Sequence, residues 1–92
     1  MNQATLTAAV EAFDDWARPW TFFEAVSTGA TLSIADRELL EAIWKEASRE
    51  IHWRGELPQG CGMAGRALAV RYPWISTAAR RQVVRAASYL WR

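Results

Sequence analysis

The stretch "PQGCGMAGR", residues 58–66, places glycines at 60, 62 and 65 in the spacing Gly-x-Gly-x-x-Gly. That spacing cradles a dinucleotide pyrophosphate when a strand feeds the first glycine and a helix follows the last. Read that way, the chain is α/β. Read as a joint between helices, it is all-α.

The surroundings decide against the cofactor loop. A dinucleotide fold also needs a crossover, a second parallel strand and an acid about 20 residues further on. Only 27 residues follow Gly65, and the position twenty beyond it is Arg85. No run in the chain alternates in the manner of a strand. The glycines are therefore expected to form a flexible joint, with Gly60 and Gly62 supplying backbone angles closed to other residues and Gly65 allowing close packing. On this reading, valine at 62 or 65 disturbs packing before it disturbs a ligand. A softer version keeps an anion site at Gly62 and Arg66, at the amides that would open a helix at Met63.

Outside this stretch the periodicity is helical. Leu6, Val10, Phe13 and Ala17 line one face of a helix over 5–17, which Pro19 closes. Thr21 and Glu24 have the spacing of a capping box for a short helix ending near Gly29. Ser33 opens a longer helix to Arg54, with Leu40, Ile43, Trp44, Ala47 and Ile51 as its apolar stripe. Glu41 with Lys45 and Glu50 with Arg54 form i, i+4 pairs on the opposite face. Residues 55–62 read as a loop, 63–72 as a helix halted by Pro73, and "YPWI" as a turn. Ser76 or Thr77 then caps a final helix with Ala79, Val83, Ala86 and Leu90 on its buried face.

The predicted fold is thus all-α, a compact single-domain bundle of about five helices over residues 1–92, the last two forming a helix-turn-helix-like hairpin. It divides into an acidic half, 1–54, the Gly/Pro loop 55–62, and a basic half, 63–92. Residues 1–50 hold nine acids and four bases, while residues 51–92 hold seven arginines and one acid. The net charge of +1 hides this separation.

Composition excludes several classes of function. No apolar run approaches the roughly 20 residues of a membrane span, so no membrane partner is expected. The first fifteen residues lack the basic and continuous apolar regions of a secretory signal, and a cytoplasmic location is expected. One cysteine and one histidine cannot build a four-ligand zinc site, and no metal or cofactor is expected. A nucleophilic role for Cys61 assisted by His52 or Glu56 lacks a further group to orient the base. No catalytic residue is assigned, and the protein is read as a non-enzyme.

The final helix carries the strongest functional signal. Arg81, Arg85, Ser88 and Arg92 fall at i, i+4, i+7 and i+11, with Arg80 beside them. Like charges at i, i+4 disfavour the helix by a few tenths of a kcal/mol, so the row is placed to meet negative charge. Arginine and tryptophan together are the composition of interface hot spots. Six tryptophans stand where about one or two are usual. Trp53, Trp74 and Trp91, near ends and turns, join Arg80, Arg81, Arg85 and Arg92 as partner-binding candidates. Trp44 is assigned to the core, and Trp16 and Trp20 to packing around Pro19.

The expected function is a small adaptor, antitoxin or inhibitor, of the kind phages and mobile elements encode, docking on an acidic protein surface. The alternative is a helix-turn-helix-like regulator of DNA or RNA. It would use Ser76, Thr77, Arg80, Arg81, Gln82 and Arg85 on the early part of the last helix. A third arrangement turns the arginines inward, onto Glu38, Glu41, Glu46 and Glu50 of the same chain or of a second copy, so that self-association is also expected.

Overall fold

A computed structural model describes residues 3–29 and 32–91. Five α-helices follow one another in the chain: α1 Gln3–Glu11, α2 Phe22–Gly29, α3 Ile34–Ala47, α4 Leu57–Arg71 and α5 Thr77–Leu90. Short 3-10 turns at Pro19–Thr21 and Glu50–His52 introduce α2 and α4. Among the described residues there is no strand, and the architecture is an all-α bundle. The radius of gyration is 12.2 Å, against about 12 Å for a compact chain of this length.

The helices start where side chains satisfy their first amides. Ser33 Oγ accepts from the Asp36 N–H at 3.1 Å, and Ser76 Oγ accepts from the Ala79 N–H at 3.1 Å, so Ser76 rather than Thr77 caps α5. The capping box expected at Thr21 is not formed. Thr21 lies in a 3-10 turn and its hydroxyl donates back to the Arg18 carbonyl at 2.7 Å. Pro73 stops α4 as expected, leaving Tyr72 as a non-helical C-cap with φ −129° and ψ 66°.

Two boundaries move. The helix expected over 5–17 ends at Glu11, and a run of turns carries the chain to Pro19. The helix expected to reach Arg54 ends at Ala47, where Trp53 folds back and its indole N–H donates to the Ala47 carbonyl at 2.9 Å. The Glu41–Lys45 ion pair forms at 3.0 Å. Arg54 lies beyond the end of α3, out of helical register with Glu50.

The larger correction concerns residues 55–62. They were expected to be a loop, but α4 begins at Leu57, and Gly60, Cys61 and Gly62 lie inside it. Pro58 sits in the first turn, where its missing N–H has no intrahelical partner to lose. No described glycine has a positive φ, so the stretch is neither a hinge nor a special turn. Gly60 answers to packing instead. A Cβ there would lie 2.5 Å from the Trp53 ring and 2.9 Å from the His52 carbonyl.

The core runs through Leu6, Val10, Phe22, Leu40, Ile43, Ala64, Leu68 and Val83. An aromatic cluster closes one end. Phe13 meets Trp16 and Phe22 edge-on, with ring centroids 4.9 and 5.1 Å apart, and Phe22 stacks on Trp44 at 5.6 Å. Helix α5 is the hub, touching α1, α3, α4 and the Pro19–Thr21 turn. That position buries Ala79, Val83, Val84, Ala86, Ala87 and Ser88 and leaves one exposed strip. No helix among the described residues is long and apolar enough to cross a membrane.

Candidate functional site

The exposed strip of α5 borders a groove of about 450 Å³ between α4 and α5. Cys61, Gly62 and Gly65 of α4 form one side, and Arg80, Arg81, Val84, Arg85 and Ser88 of α5 form the other. The groove exists because α4 carries no side chain at two positions facing it. A Cβ on Gly62 would meet nothing within 4 Å, and one on Gly65 would only reach the Val84 methyl at 4.0 Å. Close packing therefore does not require Gly65, and the valine clash expected at position 62 has no neighbour to produce it.

The arginines are positioned differently from one another. Arg85 lies over the Trp16 ring, its guanidinium carbon 4.0 Å from the centroid, a cation–π contact that holds it at the surface. Among the described residues neither Arg80 nor Arg81 has an ion-pair partner. The ion pairs there join Arg18 to Asp15, Lys45 to Glu41 and Arg49 to Glu46. The acidic face of α3 thus uses Lys45 and Arg49 rather than the α5 arginines, and no intramolecular Arg81 or Arg85 pairing with Glu41 or Glu46 forms. Ser88, read as part of the basic row, is 2% exposed and donates to the Arg85 carbonyl at 2.6 Å.

The tryptophan candidates separate. Trp53 is 8% exposed, bonded to Ala47 and packed over Gly60, so it belongs to the core and not to a contact surface. Trp74 is half-buried against Tyr72 and borders a small cavity with Leu6, Ile43 and Val83, away from the arginine groove. Trp91, 40% exposed, caps the end of α5. Arg92 lies outside the described residues. Sequence reasoning missed Trp20, 71% exposed, and Leu90, 55% exposed, which border a concavity of about 330 Å³ with Trp16, Pro19, Trp44 and Tyr89. The one available signal was Trp20 standing outside every apolar stripe.

The anion site expected at Gly62 and Arg66 loses its basis. With α4 starting at Leu57, the amide of Gly62 is inside the helix rather than among its four free N-terminal donors. Arg66 is exposed and does not line the groove. His52 is buried, with neither ring nitrogen hydrogen-bonded within the described residues, while Cys61 lines the groove half-exposed.

Three side chains proposed to read nucleic acid, at the N-cap and along α5, contact the end of α1 and the segment that follows it. Ser76 donates to the Glu11 carboxylate, Gln82 Nε2 donates to the Phe13 carbonyl at 2.6 Å, and Arg85 covers Trp16. No protein family, no curated protein and no solved structure matches the chain.

Proposed function

We propose that this protein is a small non-enzymatic interaction protein that docks through the arginine-bearing face of α5 onto an acidic patch of a larger protein, as an adaptor, antitoxin or inhibitor would. The carrying observation is that, among the described residues, Arg80 and Arg81 have no ion-pair partner beside an open groove while Glu41 and Glu46 are paired with other bases. Arginine matches carboxylates through a planar fork of donors, and a partner carboxylate would meet Arg80, Arg81 and Arg85 together. Trp91 at the end of α5 and the Trp20–Leu90 surface add apolar area beside the charge, the combination that hot spots favour.

Nucleic-acid binding draws less support. A recognition helix projects into a major groove about 12 Å wide, whereas α5 is packed on several sides as the hub of the bundle. Ser76 and Gln82 are also committed to internal hydrogen bonds.

Affinity capture from the native host, run with and without nuclease on the wild type and on Arg81→Glu with Arg85→Glu, tests the reading. The expected result is a protein partner that survives nuclease and is lost with the charge reversal. Retention of that partner by a folded double variant overturns it. Loss of all bound material on nuclease treatment favours the nucleic-acid alternative.

A further inference from the structure

We infer that the groove between α4 and α5 is the seat of an extended acidic peptide segment of the partner, its backbone lying along Gly62 and Gly65 and its carboxylates reaching Arg81 and Arg85. This rests on the docking function proposed above and gives it a location and a ligand chemistry.

The glycines begin the argument. Glycine inside a helix is less favourable than alanine by roughly 0.8–1 kcal/mol. Such a residue is usually explained by a neighbour pressed against its Cα. Gly60 has that explanation in Trp53, whereas Gly62 and Gly65 do not. What their missing side chains do produce is the floor of a groove about 450 Å³ in volume.

The opposite wall specifies the charge of the occupant. Arg80, Arg81 and Arg85 border the groove and, among the described residues, no carboxylate lines it, so an anionic ligand is complementary and an apolar one would strand three cations. Arg81 and Arg85 are one turn apart, about 6 Å along the helix axis. Alternate residues of an extended chain project the same way at about 6.6 Å, so acids at i and i+2 match both guanidinium groups. The contact with Trp16 holds Arg85 in place before a ligand arrives, which lowers the ordering cost of binding.

A nucleic-acid strand is less suited to this groove. Single strands bind where bases stack on aromatic rings, and among the described residues no aromatic side chain lines it.

The test uses the full chain and a fluorescein-labelled peptide of alternating Glu and Ala, with a Gln–Ala peptide and a single-stranded oligonucleotide as comparisons. Gly62→Leu fills the floor while leaving every arginine in place, and the open space above Gly62 lets the variant fold, which thermal unfolding checks. Expected are binding of the Glu–Ala peptide that weakens with salt, no binding of the Gln–Ala peptide, and at least about tenfold weaker binding by both Gly62→Leu and Arg81→Glu. Gly62→Ala, with a much smaller side chain, is expected to weaken binding by less than Gly62→Leu does.

If folded Gly62→Leu binds the acidic peptide as the wild type does while Arg81→Glu does not, the groove is not the seat and the arginine docking function survives. If Arg81→Glu changes neither peptide binding nor capture of the host partner, both readings fail. Failure of the wild type to bind the peptide, or tighter binding of the oligonucleotide, overturns the assignment of the ligand. So does dimerisation that Gly62→Leu abolishes, because the occupant would then be a second copy of this chain.

Discussion

The three glycines of residues 58–66 share one local spacing but have three environments, and stability measurements should separate them. Gly60→Ala forces a Cβ against Trp53 and the His52 carbonyl, and the backbone atom cannot rotate away. A loss of about 1–3 kcal/mol is expected in chemical denaturation, the range of overpacked cores. Gly62→Ala adds a methyl where nothing lies within 4 Å and removes the helical disadvantage of glycine, so a gain of about 0.5–1 kcal/mol is expected. Equal effects at the two sites would contradict the placement of α4 against Trp53. None of this could be read locally, because Trp53 reaches Gly60 only after the chain has turned through Glu50–His52.

Helix ends show how much a short stretch can specify and where it stops. Ser33 and Ser76 both precede their helices by one residue and both cap as the sequence indicates. Ser76 also donates to the Glu11 carboxylate, which joins the start of α5 to the end of α1, and that second contact has no local signature. Ser76→Ala is therefore expected to cost about 1–2 kcal/mol, the upper part of the range for a lost cap. A double-mutant cycle with Glu11→Gln should show coupling between the two side chains. Additive losses would mean the α1 contact contributes nothing. At Thr21 the same kind of signal misled. Pro19 at the head of a 3-10 turn drew the hydroxyl back to the Arg18 carbonyl before it could cap α2.

Across the molecule, α5 links the aromatic end of the core to the basic face. Phe22 is fully buried between Phe13 and Trp44, and beside Phe13 the Trp16 ring carries Arg85. Phe22→Ala should cost about 3–5 kcal/mol, a large share of the roughly 5–15 kcal/mol that holds a typical domain together. Thermal unfolding should then shift down by well over 10 °C. A variant that stays near the wild-type midpoint would place Phe22 outside the core.

The helical class, the apolar faces of α3 and α5 apart from Ile51 and Leu90, which are exposed, the serine caps and the separation of charge were legible in the sequence, because periodicity and capping depend on neighbours within one or two turns. Pro58 suits the first turn of a helix, but the glycines around it have low helical propensity, and residues 55–62 read locally as a loop. Tertiary packing settled what contacts distant in the chain control: that residues 57–62 are helical, that Trp53 is core while Trp20 is surface, and that Gly62 and Gly65 face Arg81 and Arg85 across an open groove. The physical reason is that propensity is a weak local term of about 1 kcal/mol per residue. The burial of α4 against α5 and Trp53 outweighs it and sets which side chains remain at the surface.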